Sequence, residues 1–162
     1  MEKVSYQENE SVLFIRAAGH ITAGICPALK TRVSTRIEQM PEIRGIVVDL
    51  SACTYMDSTF MGLLVNFNKN LMKRAGKRIV VYHANEDCSG LLRTLGIDKL
   101  VDLSRERVPF PADMQSIDLG DEMSASLLLK AHEELMDISE HNRKRFAALC
   151  DILKKQTERE NE

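Results

Sequence analysis

Asp57, Ser58 and Thr59 set a carboxylate and two hydroxyls at consecutive positions. Just upstream, Gly45-Ile-Val-Val-Asp-Leu50 is a short apolar run that reads as a buried strand. Just downstream, Phe60, Leu64, Phe67 and Leu71 fall at i, i+4, i+7 and i+11, the spacing of a helix. The trio therefore sits where a strand gives way to a helix. Free backbone N–H groups and the positive end of the helix dipole converge there. A hydroxyl in that place can cap the helix, worth roughly 1 kcal/mol, or it can accept a phosphate, which the dipole favours. The residue types alone leave both roles open.

Other chemistry has little support. Ser58 lacks a Gly-x-Ser-x-Gly setting and has no evident base partner. His20 and His83 fall near the strand ends, where a lone loop histidine is read as structural or solvated. His132 and His141 are expected to face solvent. Cys26, Cys53, Cys88 and Cys150 form no CxxC pair. They read as small buried hydrophobes in a reducing compartment. No Gly-rich phosphate loop is present. The expectation is a binding protein with no catalytic residue, no metal and no cofactor.

The elements that must position Ser58 follow from patterning. Val4 to Tyr6 and Val12 to Ala18 read as an edge hairpin, with Gly19 ending the second strand. Pro27 suits a first helical turn, and Leu29, Val33, Ile37 and Met40 give that helix one apolar face before Pro41. Arg78 to Tyr82 is a further strand, Asp87 to Leu95 a short helix stopped by Gly96, and Leu100 to Leu103 a last short strand. Strands alternating with helices predict an α/β layer with parallel pairing in its middle. Function in such sheets gathers at the carboxyl ends of strands, where Ser58 and the Gly19-His20-Ile21-Thr22 turn lie.

The segment from Arg44 to Leu103 resembles the STAS domain, shared by sulfate transporters and bacterial anti-sigma factor antagonists. The resemblance rests on Val48-Asp-Leu-Ser51, Tyr55-Met-Asp-Ser-Thr59, Gly62-Leu-Leu64, Arg74-Ala-Gly-Lys-Arg-Ile-Val-Val81 and Leu91-Leu-Arg-Thr-Leu-Gly-Ile-Asp-Lys-Leu-Val-Asp-Leu103. It implies an α/β fold with a mixed sheet of about five strands flanked by helices. It further implies that Ser58 is phosphorylated by a partner kinase, with Met56, Asp57, Thr59, Phe60 and Thr22 on the partner-binding surface. The implied partners are an anti-sigma-type serine kinase, released when Ser58 is phosphorylated, and a serine phosphatase that restores binding. Two positions depart from the family pattern: Phe60 stands where glycine is common, and Thr22 where the turn commonly carries aspartate.

The 162 residues divide into a STAS-like domain at 1–103, a linker at 104–123 and a C-terminal helical extension at 124–162. The linker contains Pro109 and Pro111 and few regular apolar positions. Beyond it, Leu127, Ala131, Leu135 and Ile138 form one helical stripe. Ser139 caps a second helix, with Phe146, Leu149, Cys150 and Leu153 on one side. Residues 1–103 hold 13 basic and 11 acidic side chains, and residues 104–162 hold 9 and 13. This helical hairpin must bury its stripe, either on its own domain or, as slightly favoured here, against a second copy in a homodimer. A formal net charge of −2 speaks against direct nucleic-acid binding. No apolar run is long enough for membrane insertion, and the N-terminus has no signal core, so a cytoplasmic protein is expected. A scaffold or adaptor subunit without a phospho-switch, and a small-molecule sensor, are the competing functions.

Overall fold

A computed structural model describes residues 2–106, 108–118 and 122–161. Arg107 and residues 119–121 of the expected linker, and both terminal residues, lie outside the described residues. The chain runs β1 (Lys3–Asn9), β2 (Val12–Ile21), α1 (Cys26–Gln39), β3 (Gly45–Asp49), β4 (Cys53–Met56), α2 (Ser58–Ala75), β5 (Val80–Tyr82), α3 (Glu86–Thr94), β6 (Asp102–Ser104), β7 (Gln115–Ser116), α4 (Ala125–Met136) and α5 (Glu140–Glu160). Short 3₁₀ turns precede α1 at Ala23–Ile25 and follow α3 at Ile97–Lys99.

Among the described residues the sheet has seven strands, in the order β6-β5-β3-β2-β1-β7, with β4 paired to β2 off this path. Strands β2, β3, β5 and β6 are parallel to one another, while β1 and β7 are antiparallel additions at the other side. The architecture is thus α/β with a mixed sheet and flanking helices, as expected, with two strands beyond the expected five. The extra strands are the four-residue β4 and the two-residue β7, too short for a period of two to register in a sequence. Because β7 pairs with β1, the expected linker is tied into the sheet rather than spanning free space.

Alternation assigns the two faces of the sheet. Leu13, Ile15 and Ala17 of β2, Ile46 and Val48 of β3 and Val81 of β5 face the helices in the main core. Phe14, Val47 and Tyr82 point the other way and are covered by Val108, Phe110 and Met114. Phe110 meets Phe14 edge-on at 5.0 Å between ring centres.

Helix α2 is the central element. Phe60, Leu64, Phe67 and Leu71 are fully buried against the sheet side. Met61, Gly62, Leu63 and Val65 are buried as well, so α2 is covered on more than one face. The second cover is α4. A Cβ built on Gly62 would lie 2.2 Å from the Ala131 carbonyl oxygen, so the two backbones meet directly there. Glycine, with no side chain, permits that approach.

The C-terminal hairpin forms as the caps predict. Ser124 accepts a hydrogen bond from Leu127 N–H, and Ser139 from Asn142 N–H. Ala131, Leu135, Phe146 and Leu153 are buried, and Leu127 is partly so. One expectation is corrected: Leu149 is 39 % exposed, while Cys150 beside it is buried. Of the two covers considered for the stripe, the chain's own domain supplies one, on α2 and the end of α3. The side chain of Asn142, fully buried, donates to Leu95 O at 2.9 Å and Leu135 O at 2.8 Å and pins α5 to both neighbours.

Candidate functional site

Strand β2 bends at Gly19, where φ is +84°, and the pairing shifts register between Gly19 and His20. Past that bulge β2 leaves β3 and pairs with β4, placing Ile21 beside Met56. A bulge re-aims a strand end, and here it delivers Thr22 and Asp57 to one spot. Asp57 N–H donates to Ile21 O at 3.1 Å. The Asp57 carboxylate then serves two loops at once. Its Oδ1 accepts from Phe60 N–H at 2.9 Å, capping α2, and its Oδ2 accepts from Ala23 N–H at 2.7 Å. The capping role weighed for this trio thus belongs to Asp57, which leaves the Ser58 hydroxyl free for another partner.

That partner is His132 of α4. Ser58 Oγ lies 2.8 Å from His132 Nε2. His132 Nδ1 lies 2.7 Å from Leu128 O. A carbonyl oxygen only accepts, so Nδ1 carries the proton and, in the neutral ring, Nε2 offers its lone pair. The Ser58 hydroxyl therefore donates to His132. His132 is only 3 % exposed and packs beside Phe146, with ring centres 5.2 Å apart. The expectation of a solvent-facing His132, and of a Ser58 without a base partner, is overturned. The residue lies 74 positions from Ser58 and meets it only through the docking of α4.

The expected binding surface also divides. Asp57, Ser58 and Thr22 are half-buried and come together at the ends of β2 and β4. Thr22 N–H donates to Glu2 Oε1 at 3.3 Å, adding a second carboxylate to the spot. Met56, Thr59 and Phe60 turn inward, with Met56 and Phe60 fully buried. They form the floor beneath the site and present no surface to a partner. The physical reason is geometric: Met56 ends β4 on the inward side of that strand, and Thr59 and Phe60 take the inward directions of the first turn of α2, where each residue rotates by about 100°. Phe60 thus fills core volume.

Sequence reasoning also missed an exposed neighbour. Tyr55, 39 % exposed, stacks on exposed His20 at 4.4 Å between ring centres and an interplanar angle of 19°. Both residues flank the Ser58 turn on the paired ends of β2 and β4. Their alternation with inward Ile21 and Met56 was the available signal.

Charge at the site is negative. The Cys26 thiol is pushed well above its ordinary range by burial, and further by the Asp57 and Glu2 carboxylates. A serine hydroxyl beside a histidine nitrogen is a nucleophile–base pair in outline. Here the histidine is oriented by a main-chain carbonyl, and the concavities of about 880 and 500 Å³ lie elsewhere. The larger one opens at the amino ends of β2, β3 and β5, around Val12, Gly45 and Val80, with Arg44, Lys77 and Arg78 at its edge. Among the described residues there is no grouping of three or more His, Cys, Asp or Glu that could hold a metal. No described helix is long and apolar enough to cross a membrane.

Comparison with known proteins gives the family and supports the fold. The family described as "Mlab, STAS domain" matches residues 4–102, and the chain belongs to the STAS domain family. The anti-sigma-B factor antagonist of Bacillus subtilis (strain 168) is 28 % identical over 101 residues, covering 62 % of this chain and 89 % of that protein. Among solved structures, the unphosphorylated anti-sigma factor antagonist SpoIIAA matches with a TM-score of 0.57 at 18 % identity, over 64 % of this chain and 89 % of that one. The phosphorylated form of SpoIIAA from Bacillus matches with a TM-score of 0.53 at 16 % identity, over 64 % and 92 %. Residues 103–162, including α4 and α5, lie beyond the family match.

Proposed function

We propose that this STAS-family chain is a phosphorylation-switched protein-binding module of the anti-sigma factor antagonist kind, working in the cytoplasm. In its unphosphorylated form it binds a regulatory serine kinase of the anti-sigma type. That kinase phosphorylates Ser58 and is released, and a serine phosphatase returns the module to its binding form. The observation that carries this reading is the position of Ser58: the first residue of α2, with Asp57 as the cap, in a chain related to an anti-sigma-B factor antagonist.

The physics of the switch is electrostatic. A phosphate adds about 1.5 to 2 negative charges and three acceptor oxygens. The start of α2 tolerates it, because the helix dipole favours an anion there. The bound partner does not, because the phosphate joins the Asp57 and Glu2 carboxylates on one spot. Like-charge juxtaposition in an interface costs several kcal/mol, and about 1.4 kcal/mol is tenfold in affinity. Asp57, Thr22, and the exposed pair His20 and Tyr55 form the surface the partner meets, with Met56, Thr59 and Phe60 supporting it from below.

The test is affinity capture from native cells on three full-length baits: the natural chain, Ser58→Ala and Ser58→Asp. A serine kinase should be retained by the first two and lost from the third. Retention by all three, or no kinase on any, would overturn the reading. A second reading draws on the Ser58 hydroxyl being engaged by His132 within the chain: a STAS scaffold or adaptor subunit of a larger assembly, without a phospho-switch. It predicts one stable set of captured proteins that ignores position 58.

A further inference from the structure

Helix α4 lies along α2 from its first residue to beyond its middle. His132 holds the Ser58 hydroxyl at 2.8 Å, Ala131 meets Gly62 backbone to backbone, and Glu134 accepts from Lys69 at 3.1 Å. Three successive contacts on α4 thus span Ser58 to Lys69 on α2. A partner that reaches Ser58 must approach this same start of α2. Phosphoryl transfer demands still more room. Ser58 Oγ must form a bond to the γ-phosphorus of the kinase's ATP while the bond from that phosphorus to ADP breaks in line, and the hydroxyl proton passes to the kinase's base. With Oγ donating to a buried imidazole at hydrogen-bond distance, neither the phosphate nor the base has space on that side.

We infer that α4 is an intramolecular occupant of the partner-binding face around Ser58, so that the C-terminal hairpin must swing off α2 before Ser58 can be phosphorylated. The inference rests on the phospho-switch reading of Ser58 and adds its regulation. The occupant is the segment Ala125–Met136 of the same chain. Being tethered, it competes at a high effective concentration against any partner in solution.

The hairpin's contacts are polar as well as apolar. Glu134 is buried with Oε1 facing both Lys69 and Lys130, while its Oε2 has no hydrogen-bond partner among the described residues. Asn142, fully buried, likewise has an unpartnered Oδ1. Buried polar atoms without partners regain water when the surface opens, which lowers the cost of opening. Two of the three such atoms in the described chain belong to this hairpin.

Gly62 supplies a selective test. Gly62→Ala improves the intrinsic helix propensity of α2, yet its methyl would overlap the Ala131 carbonyl. Helix α4 must then move away, and a shift of one ångström is enough to break a 2.8 Å hydrogen bond. A second variant acts in the opposite direction. Asn66→Cys with Lys130→Cys puts two thiols at the cleft where α2 and α4 meet, and the disulfide, its formation verified by thiol counting and by mass before use, locks the hairpin down until reductant is added. The natural cysteines are all buried and stay out of this exchange.

The experiment uses three full-length chains: natural, Gly62→Ala and the oxidised lock. Each is incubated with native cell extract and labelled ATP, and phosphate on Ser58 is mapped by mass spectrometry. Amide exchange of residues 125–136 is followed in parallel. The expected result is loss of protection in α4 of Gly62→Ala with phosphorylation at least tenfold faster than the natural chain. The oxidised lock should be at least tenfold slower, and reductant should restore it. Equal rates in all three overturn the cover while leaving the switch intact. If Gly62→Ala fails to fold, the lock decides alone, since equal rates before and after reduction overturn the inference. Absence of phosphate on Ser58 in every chain overturns the switch itself, and the regulation falls with it.

Discussion

Ser58 is singled out from its neighbours by orientation. Thr59 carries the same chemistry one residue later but is buried, and Asp57 is committed to Phe60 and Ala23. Phosphate is therefore expected on Ser58 and not on Thr59, and Ser58→Asp should weaken the kinase partner at least tenfold. Helix α2 should persist, because the added charge suits a helix start, while the lost hydroxyl donor to His132 loosens α4 without unfolding the sheet. Calorimetric titration and urea unfolding of the same variant check both halves. Unchanged affinity with a collapsed unfolding midpoint would make Ser58 a structural residue. The cysteines give a second expectation at this scale. Burial and nearby carboxylates raise the Cys26 thiol, contact with Cys53 and burial raise Cys88, and burial raises Cys150. Thiolate is the reactive form, so a thiol reagent at mildly alkaline pH should leave these three untouched in the native chain and label them in denaturant.

At the level of elements, two polar side chains do the joining. Asp57 ties the start of α2 to the loop before α1 through its two oxygens. Asp57→Ala removes a helix cap and leaves Ala23 N–H without its carboxylate. A cap alone is worth about 1 kcal/mol, with a range of about 0.5–2, so a loss near the top of that range is expected in urea unfolding, with Asp57→Asn retaining part of it. Asn142 plays the corresponding part for the hairpin, spanning Leu95 O of the α3 end and Leu135 O of α4. Asn142→Ala strips both bonds and leaves a small void. A loss of about 1–3 kcal/mol follows from the orphaned carbonyls. Amide exchange should show the effect in α4 and α5 with β2 and β3 still protected. A uniform loss across the sheet would mean that the hairpin is no separate unit of stability.

For the molecule as a whole, the hairpin decides the surface. Its stripe at Ala131, Leu135, Phe146 and Leu153 is already covered within the chain, so light scattering should find a single chain for the full-length protein. Deleting residues 124–162 uncovers Gly62, Leu63 and the rest of that side of α2, which α4 now shields. A contiguous apolar patch of this kind drives association. The truncated chain is expected to aggregate, or to survive only with a partner on that face. A soluble, monomeric truncation would show the α2 face to be stable in water and would weaken the case for α4 as its necessary cover.

Local physics was legible in the chain. The 3.6-residue spacing of Phe60, Leu64, Phe67 and Leu71, the caps at Ser124 and Ser139, and the alternation in β2 each depend on neighbours in sequence, and the elements formed where they indicated. The STAS-type motifs likewise located Ser58 at a strand-to-helix turn. What the chain alone left undecided was which surfaces meet. Nothing within a few residues of Thr59 reveals that the core takes it inward. Nothing near His132 reveals a hydroxyl 74 positions earlier in the chain. Two traces were present: a glycine at position 62 inside a strong helical pattern, which costs helix stability and so calls for a packing reason, and a histidine adjoining the apolar stripe of Ala131 and Leu135. Neither names its counterpart, because docking two helix faces depends on the summed shape of many side chains. Tertiary packing alone settled that the hairpin lies on its own domain and that Ser58, the chemical centre read from sequence, is held under a histidine of α4.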